Sequence, residues 1–211
     1  MKTTIKLLAV LALVVTAFSQ HTTASAGGGQ AFSFKGPSAL ATFSSIGPSG
    51  CIVTDVFVIA SDGVFRDAPG PDTILSFASV TISQYDICNE IQLLLAYGSA
   101  SPLTEGEFDI SKKLDSAALN ATVNLFDEVS TTTFDVDVSL SWIGTGPISR
   151  QHTNSHFHTP GCIINSHGKG TSRTAEASGS VSNGATNFTP QASVDASLVQ
   201  VKNGTVTIGC N

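Results

Sequence analysis

The stretch Phe134-Asp-Val-Asp-Val-Ser-Leu-Ser-Trp142 decides the fold class of this chain. Apolar side chains occupy every second position, and Asp or Ser fills the positions between them: Phe134, Val136, Val138, Leu140 and Trp142. Because successive strand side chains point to opposite faces, this alternation predicts a strand with one dry and one solvated face. A helix would spread the same apolar groups around its circumference. We expect a central strand, with other strands packed against its dry face.

The rest of the chain carries many further strand signals and no helical stripe of useful length. Segments rich in Val, Ile, Thr and Ala are separated by turn signals such as Gly47-Pro-Ser-Gly50, Asn183-Gly184 and Asn203-Gly204. We therefore predict an all-β, antiparallel β-sandwich of two packed sheets with about ten short strands. A sandwich is favoured over a closed sheet, because alanine-rich faces allow two sheets to approach closely and the strand spacing is not uniform.

Three segments decide details of this prediction. Val64 to Asp72 holds two prolines and a glycine, and Ile148 to Gly161 is polar, so both are expected to be loops. The run from Ile91 to Tyr97 is compatible with a buried strand or with one helical turn, and its β-rich neighbourhood favours the strand.

The first residues set the compartment. Lys2 and Lys6 precede an apolar run, Leu7 to Phe18, that is too short to span a bilayer comfortably, and Ala24-Ser-Ala26 offers a small-residue cleavage site. Residues 1–26 are predicted to be a cleaved signal peptide, with an uncleaved anchor as the alternative. Residues 27–211 are then a single secreted domain, extracellular or, in a Gram-negative host, periplasmic. No later segment is long and apolar enough to predict a membrane span.

Charge excludes some partners. Removal of Lys2 and Lys6 from the ten basic residues leaves eight, against sixteen acidic ones, so the mature formal charge is −8. Binding to nucleic acid or to anionic lipid requires a cationic surface, so neither is expected. Cations and neutral glycans stay open as ligands.

The four cysteines of the mature part are predicted to form two disulfides, because an even count is typical of exported domains. A hairpin formed by 51–61 and 73–88 would place Cys51 opposite Cys88 at its open end. The predicted pairs are therefore Cys51–Cys88 and Cys162–Cys210.

The sharpest candidate site is a group of histidines. Every mature histidine lies between positions 152 and 167: His152, His156, His158 and His167. Neutral imidazole is a common ligand for late transition metals, so zinc or copper would be the candidate ion. The spacing matches no metal motif fixed on a defined element, and the competing interpretation is a solvated polar loop.

An enzymatic function has little support in the sequence, which carries neither Gly-x-Ser-x-Gly nor a phosphate-binding glycine loop after a strand. The leading hypothesis is a secreted, non-enzymatic β-sandwich protein that binds a glycan, a cell surface or a protein partner. One alternative is a metal-binding protein or metalloenzyme that uses the His152–His167 loop. Another is a self-associating extracellular structural subunit, in which an edge strand accepts a neighbour's strand.

Overall fold

The computed structural model describes residues 30–68, 71–159 and 162–210, and these form an antiparallel all-β fold without helix. The strands are β1 Gln30–Ile46, β2 Ile52–Ala68, β3 Asp72–Asp86, β4 Ile91–Ala100, β5 Phe108–Ile110, β6 Ser116–Asp127, β7 Thr132–Gly144, β8 Ser149–Thr159, β9 Cys162–Ser182 and β10 Asp195–Cys210. The all-β antiparallel prediction is confirmed. The predicted signal peptide, residues 1–26, lies outside the described residues. Across the described part of the chain, no helix has the length and hydrophobicity that a membrane crossing requires.

Hydrogen bonding joins the strands into one sheet, in the order β10-β1-β2-β3-β4-β6-β7-β9-β8, with β5 added to β6. β10 also pairs with β9, so strands from distant places in this order are neighbours. The division into two separate packed sheets therefore stays a prediction. Several strands are longer than expected: β1 and β2 have 17 residues each and β9 has 21.

β7 is the central strand that its alternation predicts, with β6 on one side and β9 on the other. Val136, Val138, Leu140 and Trp142 are buried, and the intervening side chains from Asp135 to Ser141 are exposed. The indole Nε1 of Trp142 donates a hydrogen bond to the carbonyl oxygen of Leu40 on β1, at 2.9 Å. This bond joins two strands that are not neighbours in the sheet.

Two buried apolar clusters lie on opposite faces of β1 and its neighbours. The large cluster is built around Trp142 and contains Ala39, Val58, Val80, Leu119 and Leu198, among others. The small cluster consists of Phe32, Phe34, Leu40, Ile59, Phe65, Leu75, Phe77, Val199 and Val201. Consecutive residues of β1, Ala39 and Leu40, belong to different clusters, so both faces of the strand are buried at this point. β1 therefore contributes side chains to both clusters.

The hairpin of β2 and β3 confirms the predicted pairing of its ends. Its register runs from Ile52 opposite Asp86 to Arg66 opposite Asp72. The Cys51–Cys88 disulfide closes the open end with a Cα–Cα distance of 5.3 Å, as predicted. The loop predicted over Val64 to Asp72 is wrong, because β2 continues to Ala68. The prolines that suggested a loop are residues 69 and 71, which follow the last residue of β2, whereas Phe65 is buried in the small cluster.

The second predicted disulfide is supported by strand register. β9 and β10 pair so that Cys162 lies directly opposite Cys210. The side chains of both cysteines are outside the described part of the chain, so the Cys162–Cys210 bond stays a prediction.

Candidate functional site

The histidine-rich segment is a strand and not a loop. β8 pairs with β9 along its whole length, from Ser149 opposite Ser172 to Thr159 opposite Cys162. The polar loop predicted over Ile148 to Gly161 is therefore wrong, and so is the description of the candidate site as a His152–His167 loop.

The physical reason is the composition of the inner face of β8. The side chain of Thr153 is buried, Gln151 Nε2 donates to Ser172 Oγ at 2.9 Å, and the hydroxyls of Ser155 and Ser166 lie 3.0 Å apart. Polar groups replace the apolar alternation that would have predicted the strand. Hydrogen bonds to β9 hold the segment in place.

Strand register places the histidines of β8 and β9 on the outer face of this hairpin. His152 lies opposite Lys169, Asn154 opposite His167, and His156 opposite Asn165. Residues two apart on a strand share a face. His167 is therefore diagonal to both His152 and His156, at the range where long or aromatic side chains still meet.

Among the candidate ligands whose side chains are described, His152 and His167 are in contact. The rings of His152 and His167 meet edge to face, with centroids 4.9 Å apart and an interplanar angle of 88°. The ring of His156 takes a different partner, because its Nδ1 is hydrogen-bonded to the side-chain oxygen of Asn165. His158 lies opposite Ile163 by backbone register, and its side chain is outside the described residues.

A compact group of three ligands does not form on this face among the residues that the structure describes. Over the described ranges, the three-ligand group that does form is Cys51, Asp86 and Cys88 at the open end of the β2–β3 hairpin, with ligand atoms within 4.8 Å of one another. Its two sulfurs are joined in the disulfide and are not thiolates. Zinc or copper binding by four histidines stays a prediction, and the His152–His167 pair is the part of it that the structure brings together.

The carboxylate of Asp86 serves the turn after β3. It accepts hydrogen bonds from the backbone nitrogens of Cys88 and Asn89, at 2.9 and 3.0 Å, and from Asn89 Nδ2 at 2.8 Å. The bond from the Asn89 side chain is the largest cause that lowers the pKa of Asp86, followed by the Asn89 backbone. This explains the position of Asp86 beside the disulfide without a metal ion.

A second candidate surface was missed by sequence reasoning. We call it the β4 patch and define it by five large apolar side chains on β4, at the end of β6 and in the following turn. Their exposed fractions are 54% for Ile91, 42% for Leu93, 38% for Tyr97, 39% for Phe126 and 48% for Val129.

Tyr97 and Phe126 form the centre of the β4 patch. They lie opposite each other in the β4–β6 register, and their rings meet edge to face with centroids 6.3 Å apart and an interplanar angle of 72°. The Tyr97 hydroxyl donates to Glu128 Oε1 at 3.0 Å. This hydrogen bond, with partial desolvation and the charge of Glu128, raises the pKa of Tyr97 above its ordinary value.

The backbone of β4 is incompletely paired beside the patch. β6 pairs with Ala96, Tyr97 and Gly98, and the next contacts on that side are the Leu95 nitrogen with Asp127 Oδ1 and the Leu95 oxygen with the Glu128 nitrogen. Within the described ranges, no strand pairs with residues 91–94 on this side. Leu93 is also the extra residue of a bulge against β3.

The sequence signal for this patch was the run from Ile91 to Tyr97, with apolar residues at both parities. Such a run is typical of a strand buried on both faces, and the structure instead leaves part of it exposed.

Within its described residues the chain is an antiparallel all-β protein whose β2–β3 hairpin is cross-linked by the Cys51–Cys88 disulfide. Comparison of the chain with protein-family models, with curated protein sequences and with solved structures finds no match.

Proposed function

We propose that the chain is an exported, non-enzymatic binding protein that acts through the β4 patch, and that its partner is a second copy of the chain. The observation that carries this proposal is the exposure of five large apolar side chains, between 38% and 54%, around one incompletely paired strand. Exposed apolar surface of this kind marks interaction sites, because its burial against a partner removes it from water.

The chemistry of the patch favours a protein partner over a glycan. The rings of Tyr97 and Phe126 meet at 72°, so they present no flat shared platform on which a sugar ring could stack. Large aromatic and aliphatic side chains are instead the groups that dominate protein interfaces.

A second copy is the partner that the patch matches without further assumptions. A two-fold contact brings the same surface of both copies together, so apolar side chains meet apolar side chains. β4 carries no charged residue from Ile91 to Ala100, so no like charges oppose each other along the strand. Edge strands that avoid pairing commonly carry such charges.

Export and the two-layer arrangement are parts of the same proposal. Export is supported by Lys2, Lys6, the apolar run after them and the Ala24-Ser-Ala26 cleavage site. The Cys51–Cys88 disulfide supports an oxidising compartment. The packing of one layer of the sheet on the other is supported by the hydrogen bond between Trp142 on β7 and Leu40 on β1, two strands that are not neighbours.

Sedimentation equilibrium over a range of protein concentrations tests self-association. We expect the wild type to form a dimer. Leu93→Ser or Tyr97→Ser should raise the dissociation constant of this dimer at least about tenfold, as loss of a central apolar contact does. Higher ionic strength should strengthen the dimer, because it screens the repulsion between acidic copies.

Ile74→Ser is the matched control. Ile74 is 81% exposed on β3, outside the patch, so its replacement removes a similar apolar group and should leave the dimer unchanged. A wild type that stays monomeric at every concentration contradicts the proposal, and so does an equal loss of dimer in the control.

A further inference from the structure

The outer face of the β8–β9 hairpin holds two imidazoles in contact on a well-paired platform. β8 and β9 pair continuously from Ser149 to Thr159, and β9 is held on its other side by β10. His152 is exposed and His167 is half-buried, so a solute can reach the pair from water. We propose that His152 and His167 together bind one divalent late transition-metal ion, independently of the β4 patch.

The distance between the rings matches this role. An imidazole nitrogen lies about 2.0–2.1 Å from a bound ion and roughly 1.1 Å from its own ring centre, which puts two ring centres about 4.5–5.2 Å apart for ligand angles of about 90–109°. The observed separation is 4.9 Å. Rotation of the exposed His152 ring can therefore aim both nitrogens at one point without a backbone movement.

The side chains around the pair affect how tightly a metal ion binds. Asn154 lies opposite His167, and solvent supplies the further ligands of a surface site. Lys169 lies opposite His152, and Arg150 precedes His152 by two residues on the same strand face. These cations weaken the binding of any metal ion. Cu²⁺ has the highest intrinsic affinity for nitrogen ligands, ahead of Ni²⁺ and Zn²⁺, so it is the ion that we expect to bind in spite of this repulsion.

Calorimetric titration of the untagged full chain with Cu²⁺ at pH 7.5, after removal of metals with a chelator, tests the site. We expect His152→Gln and His167→Gln each to weaken the affinity by about tenfold or more, since loss of a ligand costs at least as much as loss of a group that orients one. At low ionic strength Lys169→Gln should strengthen it by about tenfold, the effect of a unit charge about 6 Å from a divalent ion in water.

His156→Gln is the matched control, because His156 is on the same strand face but bonded to Asn165. It should keep the wild-type affinity, and circular dichroism of every metal-free variant should be unchanged. Electron paramagnetic resonance of the Cu²⁺ complex should show nitrogen coupling that is lost in the His152→Gln/His167→Gln double variant. If His152→Gln and His167→Gln both keep the wild-type affinity for Cu²⁺, the two rings only pack edge to face and do not bind the ion, and the proposal is overturned. A loss in His156→Gln as large as in His167→Gln also overturns it.

Discussion

Asp127 shows how one buried carboxylate organises the corner where β4, β6 and β7 meet. It is 5% exposed and accepts hydrogen bonds from the backbone nitrogens of Leu95, Val129 and Ser130, at 3.2, 3.0 and 3.2 Å, and from Ser130 Oγ at 2.5 Å. Burial raises the pKa of Asp127, but the bonds from Ser130, Val129 and Leu95 together outweigh it, so the pKa lies below its ordinary value. The ionised form is therefore the one that the fold stabilises.

Asp127→Ala should lower the free energy of unfolding by about 2–4 kcal/mol at pH 7, because it leaves partly buried backbone donors without an acceptor. For Asp127→Asn, the deficit relative to wild type should be present above the unfolded-state pKa of about 3.9 and shrink as the pH falls through the lower folded-state pKa. Urea denaturation at several pH values measures both effects. The exposed Asp135→Ala is the control, with a change expected within about 0.5 kcal/mol. If the stability deficit of Asp127→Asn grew as the pH fell, the lowered pKa of Asp127 in the folded state would be contradicted.

At the scale of elements, β1 and β2 pass from one buried cluster to the other where Gly36 approaches Gly63. A Cβ atom on Gly36 would lie 2.3 Å from the carbonyl oxygen of Asp62 and 2.6 Å from the Cα of Gly63. These contacts involve backbone atoms, which cannot rotate away as a side chain can. Only glycine allows the two strands to come this close.

Gly36→Ala should therefore destabilise the fold by about 1–3 kcal/mol or more, as overpacking does. Gly47→Ala is the matched control, because a Cβ there meets Ile52 at 3.6 Å, an ordinary contact. Its effect should stay within about 0.5 kcal/mol. Thermal and urea unfolding of the two variants measure the difference, and equal stability would show that the strands can separate at this point at little cost.

The elements that the sequence predicted correctly are those in which apolar side chains are buried and polar side chains are exposed at alternating positions. β7 was predicted because Val136, Val138, Leu140 and Trp142 alternate with polar residues, and all four are buried. β8 was not predicted because its inner face is polar, with Thr153 buried opposite Gly168. A strand of this kind is specified by hydrogen bonds to β9, which local periodicity cannot record.

The candidate site was likewise predicted only in part from the sequence. Residue types identified the histidines, but the contact between His152 and His167 depends on the register of β8 against β9, which places Asn154 opposite His167. The β4 patch depends on how far β6 extends alongside β4, and that pairing stops at Ala96. Neither register nor strand overlap can be obtained from the order of residues within one strand.

At the scale of the whole molecule, the last prediction concerns the pairing of the chain's end. Residues directly opposite each other in an antiparallel pair have Cα atoms about 4.5–5.5 Å apart, within the range that disulfides span. Cys162 and Cys210 occupy such positions at the beginning of β9 and the end of β10. Their bond would prevent the terminal strand from separating, and closing a loop of this size stabilises a fold by about 2–4 kcal/mol.

In protein recovered from the medium or periplasm, we expect no thiol to react with an alkylating reagent before reduction, and all four to react afterwards. Peptide mapping without reduction should join Cys162 to Cys210, and the first residue should be Gly27. Two reactive thiols in the unreduced protein would contradict the pairing, whereas an intact Met1 would contradict export alone.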